Sequence, residues 1–159
     1  MTNINTKRPI ITEPNVGEKR HNVYAGVIRQ YHSAMSSGFF IEAISLMESI
    51  IADRMESLAN ELSASSNFSH ITLEKLLIYL LGEKQKNKTD NELYACFEEI
   101  AVWKDARNEA IHEMAKLLDE AFETRYERLE EYADEGYDLF RKLDKAIHKW
   151  RTNQSLTTK

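Results

Sequence analysis

Residues 83–135 read EKQKNKTDNELYACFEEIAVWKDARNEAIHEMAKLLDEAFETRYERLEEYADE, with neither a glycine nor a proline among them. Such a stretch offers the backbone few places to turn, and Glu, Lys, Leu and Ala, all good helix formers, dominate it. From Ile111 the apolar residues Met114, Leu118, Phe122, Tyr126, Leu129, Ala133, Tyr137, Phe140, Leu143, Ile147 and Trp150 follow at steps of three or four. The mean step is about 3.5, the spacing of a seam between packed helices. One long helix ending at Trp150 satisfies this pattern, and so do two helices meeting near Asp119 or Gly136.

Working outward, the same periodicity predicts a helix over about 18–36, with Val23, Val27, Ile28, Tyr31 and Met35 on one face. Gly38 is suited to end it in a left-handed cap. A second helix is expected over about 39–62, where Ile41, Ile44, Met47, Ile51, Met55 and Leu58 form a wide apolar stripe. That width suits a central helix with neighbours on two sides. Thr72 precedes a short helix ending near Gly82, residues 83–88 form a polar loop, and Thr89 or Asp90 caps a helix over about 91–103. The expected fold is all-α, an antiparallel bundle of four to five helices with a long C-terminal helix or helix pair. Residues 1–17, polar and holding both prolines, read as a leader; 18–150 form one domain; 151–159 form a polar tail.

Composition narrows the function. The 159 residues suffice for one core, and no apolar run approaches the roughly 18 residues needed to cross a membrane. The single Cys96 has no disulfide partner, and no signal peptide is visible, which places the chain in a reducing cytoplasm. A net charge of −5 without a run of cations argues against a protein that coats long nucleic acid. It leaves room for a compact cleft with a few cations. Glu109 and His112 form half of a di-iron Glu-x-x-His motif, but neither His32 nor His148 has a Glu three positions earlier, so neither a metal nor another cofactor is expected. The aromatic residues between Phe122 and Phe140, at helical spacing, read as core or dimer packing.

Within the opening stretch stands Arg107-Asn108-Glu109-Ala110-Ile111-His112, preceded by Trp103-Lys104-Asp105-Ala106. Breaking an RNA backbone without a metal requires a proton taken from the 2'-hydroxyl, one given to the 5'-oxygen, and a cation for the phosphate. Histidine titrates near neutrality and arginine presents a planar fork to phosphate oxygens. Asn108 and His112, four apart, share a helix face. Arg107 and His112, five apart, diverge by about 140° unless a helix begins near Asp105.

The stretch WKDARNEAIHEM resembles the signature of the HEPN domain family: an Arg, a polar residue, three more residues and a His. The resemblance is strict over residues 103–114 and extends loosely, through size and helical setting, over 20–150. It implies a homodimer in which two motifs face each other across a cleft, and metal-independent cleavage of RNA by a toxin or defence protein. By the same resemblance Arg107 binds phosphate and stabilises the transition state, His112 is general acid or base, and Asn108 orients. Lys104 is a substrate-binding candidate, and Glu48, Asp53 and Arg54 are supporting candidates on the earlier helix. The sequence departs from the usual pattern at Glu113, where a small residue often follows the His. The resemblance also admits a non-catalytic dimerisation or binding module acting through an antitoxin, a nucleotidyltransferase-like partner or a nucleotide.

Overall fold

A computed structural model describes residues 16–63 and 67–157. Among them there are six helices and no strand: α1 (Val16–Ser36), α2 (Phe40–Leu62), α3 (Leu73–Leu80), α4 (Glu83–Lys86), α5 (Asn91–Glu113) and α6 (Phe122–Thr157). The fold is all-α. Most of the leader expected over 1–17 lies outside the described residues, while Val16 and Gly17 open α1.

The ends follow local chemistry. Gly38, at φ +75°, makes the turn from α1 into α2, a conformation that costs glycine little. Thr72 accepts a hydrogen bond from the Lys75 amide at 3.4 Å and Asp90 accepts one from the Leu93 amide at 2.8 Å, so both side chains cap the helices that follow them. The polar loop expected over 83–88 contains the single-turn α4. The tail from Arg151 stays helical as far as Thr157, and Arg151 ion-pairs with Glu61 of α2.

Register can be read from the cross-helix contacts. On α1 and α2, Gln30 meets Glu42 while Arg20 meets Ser57 and Asp53, so the two helices run antiparallel. On α5 and α6, Trp103 meets Tyr132, Glu99 meets Lys142 and Glu92 meets Lys149, again antiparallel. Helices α2 and α6 run parallel instead. Tyr126–Gly38, Asp144–Arg54 and Arg151–Glu61 hold sequence separations of 88, 90 and 90. Parallel neighbours need a long connection, and α3 to α5 supply it.

The core lies where α2, α5 and α6 meet. Met47, Ile51, Met55, Phe97, Ile100, Trp103, Leu129, Ala133, Leu143 and Ile147 are completely removed from solvent. Gly136 lies inside α6 rather than between two helices, and its role is close approach. A Cβ built there would stand 2.6 Å from Cζ2 of Trp103 and 3.3 Å from Cβ of Met47. The indole cannot easily retreat, because its Nε1 donates to the Tyr132 carbonyl at 2.9 Å.

Gly136→Ala should therefore destabilise the protein. The better helix propensity of alanine, worth about 1 kcal/mol, is outweighed by overpacking that costs about 1–3 kcal/mol. Urea denaturation followed by circular dichroism reads the balance, and a stabilised variant would show that Trp103 has room to move. Cys96 is fully buried, and burial pushes its thiol up to about 11. The thiolate is the reactive form, so a thiol reagent at pH 7 should label Cys96 only after denaturation. Fast labelling of the folded chain would contradict this. A thiol raised in the folded state also means stability is lost as pH climbs from about 9 towards 11.

Candidate functional site

The motif lies in the last two turns of α5, which passes through Asp105 without a break. The boundary expected near Asp105, and with it the helix ending near Trp103, is not there. Asp105 ion-pairs with Lys104 at 2.9 Å instead of capping a new helix. The consequence is geometric. On one continuous helix Arg107 and His112 diverge by about 140°. Arg107 points inward and is 7% exposed, whereas His112 is exposed at the helix end and Asn108 is half-buried beside it. Within one chain the arginine and the histidine do not converge.

Arg107 meets two groups in the interior. Its guanidinium lies over the Trp103 ring, 5.4 Å from the centroid, and Nη2 pairs with Oε1 of Glu48 from α2. The Glu48 side chain keeps 34% of its surface open, so this pair borders solvent. Buried Nε of Arg107 has no hydrogen-bond partner among the described residues. A half-engaged guanidinium backed by an aromatic ring is a competent anion site only when the carboxylate in front of it yields.

The other supporting candidates lie elsewhere. Asp53 accepts a hydrogen bond from the Tyr24 hydroxyl and pairs with Arg20 at 2.9 Å. Arg54 pairs with Asp144 of α6 and lies over the Tyr24 ring. Both belong to a polar cluster joining α1, α2 and α6, away from the motif. Burial, followed by the bond to Asp53, pushes the Tyr24 hydroxyl far above its usual range, so it remains a donor. Lys104, the substrate-binding candidate, is largely buried and spent on Asp105.

Between α5 and α6 a shallow hollow of about 220 Å³ is lined by Ala106, Glu109, Ala110, Glu113, Arg128 and Tyr132. Its one cation is occupied, since Arg128 pairs with Glu120 and lies 3.6 Å from Glu113. The remaining carboxylates would repel a phosphate. No cluster of three or more His, Cys, Asp or Glu side chains that could hold a metal forms among the described residues.

One organising residue escaped the sequence reading. Arg125, in the first turn of α6, is buried and donates to four carbonyls, one at the end of α5 and three in the connection that follows. Nη1 reaches Glu113 at 3.0 Å and Lys116 at 2.7 Å; Nη2 reaches Leu118 at 3.3 Å and Glu120 at 2.9 Å. Carbonyls left over at the end of a helix need donors, and a planar cation with five N–H groups serves several at once. Arg125 thereby ends α5 directly after His112 and Glu113.

Arg125→Met should leave several of these carbonyls without a donor and cost about 2–4 kcal/mol. Trypsin should then cut after Lys116 much faster than in the wild type. Unchanged stability together with unchanged cleavage would mean that the connection holds itself. Comparison with known protein families, with curated proteins and with solved structures finds no match to the chain.

Proposed function

We propose that the chain is a HEPN-like endoribonuclease of the toxin or defence type, cleaving RNA without a metal at a site completed by a second copy. One contact carries the reading. Arg107 of the motif and Glu48 of α2, both candidates on sequence grounds, meet across two helices, while His112 of the same motif is exposed.

The divergence of Arg107 and His112 determines how such a site would work. One chain offers a single imidazole, while the reaction needs a base and an acid. The exposed α5 face carries Val102, Asp105, Glu109 and His112, so a second copy packed there about a two-fold axis brings another His112 to the first. One imidazole takes the 2'-hydroxyl proton as the 2'-oxygen attacks phosphorus. The bond from phosphorus to the 5'-oxygen breaks, and the second imidazolium protonates that oxygen, leaving a 2',3'-cyclic phosphate. Arg107 projects from the opposite side of α5, so its guanidinium bears the growing charge only if it leaves Glu48 and swings out to the scissile phosphate.

A second reading is favoured by the same pair. Arg107 neutralised and stacked on Trp103 is also what a non-catalytic helical module, acting through a protein or nucleotide partner, would use to fix α5 on α2.

RNA cleavage in EDTA by wild type and by His112→Ala separates the two. His112 is exposed, so its removal leaves the core intact. The enzyme reading expects cyclic-phosphate ends from the wild type and a loss of about 100-fold or more in the variant. No cleavage by either protein across a broad RNA panel favours the module. Equal cleavage by both removes His112 from the chemistry.

A further inference from the structure

The apolar seam that begins at Ile111 is not buried along its whole length. From Leu129 to Trp150 its positions are wholly or mostly covered, but Leu118, Phe122 and Tyr126 are exposed. Of ten exposed large apolar side chains among the described residues, five gather at this end of the bundle: Phe39, Leu117, Leu118, Phe122 and Tyr126. Phe122 stacks on Tyr126 at 6.1 Å, and the Tyr126 hydroxyl donates to the Gly38 carbonyl, bringing the α1–α2 corner and Phe39 alongside. Phe122 is 57% and Phe39 61% exposed. Scattered apolar residues need no explanation, whereas a cluster of aromatics in helical register marks a binding surface.

The charges around it are mostly acidic, with the exposed Lys116 just before Leu117. Between Leu117 and Glu127 the only cation is Arg125, which is buried and turned onto backbone carbonyls. Glu120 is held by Arg128. Asp119, Glu123 and Glu127 remain, exposed and without an ion pair among the described residues.

We propose that this face docks a basic amphipathic segment of another protein, with apolar anchors against Phe39, Phe122 and Tyr126 and cations against Asp119, Glu123 and Glu127. A second copy of the chain is the poorer occupant. A two-fold contact through this face would bring the same carboxylates towards each other. The surface is separate from the exposed α5 face and does not rest on the ribonuclease reading. It does border the connection that Arg125 ties to the end of the motif helix, so an occupant would bear on the segment that follows His112.

The test uses the full chain and two fluorescent peptides of identical lysine and leucine content. One has leucines at i, i+3, i+4 and i+7; the other is scrambled so that no apolar stripe forms. Anisotropy titrations compare wild type, Phe39→Ser/Phe122→Ser, Glu123→Lys/Glu127→Lys, and Glu74→Lys on the exposed side of α3 as a charge control. The apolar pair is largely exposed, and circular dichroism checks that the fold survives. The striped peptide should bind, weaken about tenfold or more with either double variant, and be unaffected by Glu74→Lys. The scrambled peptide should bind more weakly throughout. Absence of binding overturns the proposal, as does an affinity indifferent to Phe39→Ser/Phe122→Ser, which would reduce the effect to bulk charge. Sedimentation that shows a dimer dissolved by the same apolar variant would assign the face to a second copy and likewise overturn it.

Discussion

The packing of the Trp103 indole against Gly136 is the constraint on which the other contacts depend. An α5–α6 approach this close leaves no room for a side chain on the glycine, and the hydrogen bond to the Tyr132 carbonyl fixes the ring's depth. With the indole set, Met47 of α2 closes the third side, and α2, α5 and α6 share one core. Arg107, one turn along α5, is carried inward over the same ring. Its burial and its meeting with Glu48 thus follow from how the helices pack. The motif's arginine is held by the scaffold, and its histidine is left to the solvent.

Most of the helical architecture was legible because periodicity and punctuation agree. Gly38, Thr72 and Asp90 sit where a cap is required, and the apolar stripe of α2 turned out to contact neighbours on several sides. The break between α5 and α6 was not legible as a single answer. Residues 114–121 contain no glycine or proline, and the apolar seam continues in register across them. What stops α5 is a tertiary device, Arg125, whose guanidinium supplies carbonyls five to twelve residues earlier in the chain. No local pattern announces such a contact. Asp105 offered a plausible cap, but a local carboxylate cannot interrupt a helix that packing on both sides prolongs.

The candidate site was legible in part, for a reason that helix geometry supplies. Glu48, Asp53 and Arg54 stand on one helix, yet five residues turn the chain by about 140°, so all three cannot face α5. The structure brings Glu48 to Arg107 and gives Asp53 and Arg54 to α1 and α6. Sequence could nominate the three but could not choose, because the choice depends on which neighbour occupies each side of α2. The same arithmetic separates Arg107 from His112 once α5 proves continuous.

Charge then constrains how this molecule could meet a polyanion. The cations nearest the motif are committed within the chain: Arg107 to Glu48, Lys104 to Asp105, and Arg128 to Glu120. In the hollow beside the motif a phosphate would meet Glu109 and Glu113, and the arginine there is already paired. Affinity for RNA would therefore require an exchange in which phosphate replaces Glu48, with its cost offset by cations gathered from a second copy. An acidic chain with occupied arginines can be locally selective for phosphate only by such an exchange. A net charge of −5 gives long-range attraction for a polyanion the wrong sign, which counts against general binding of nucleic acid.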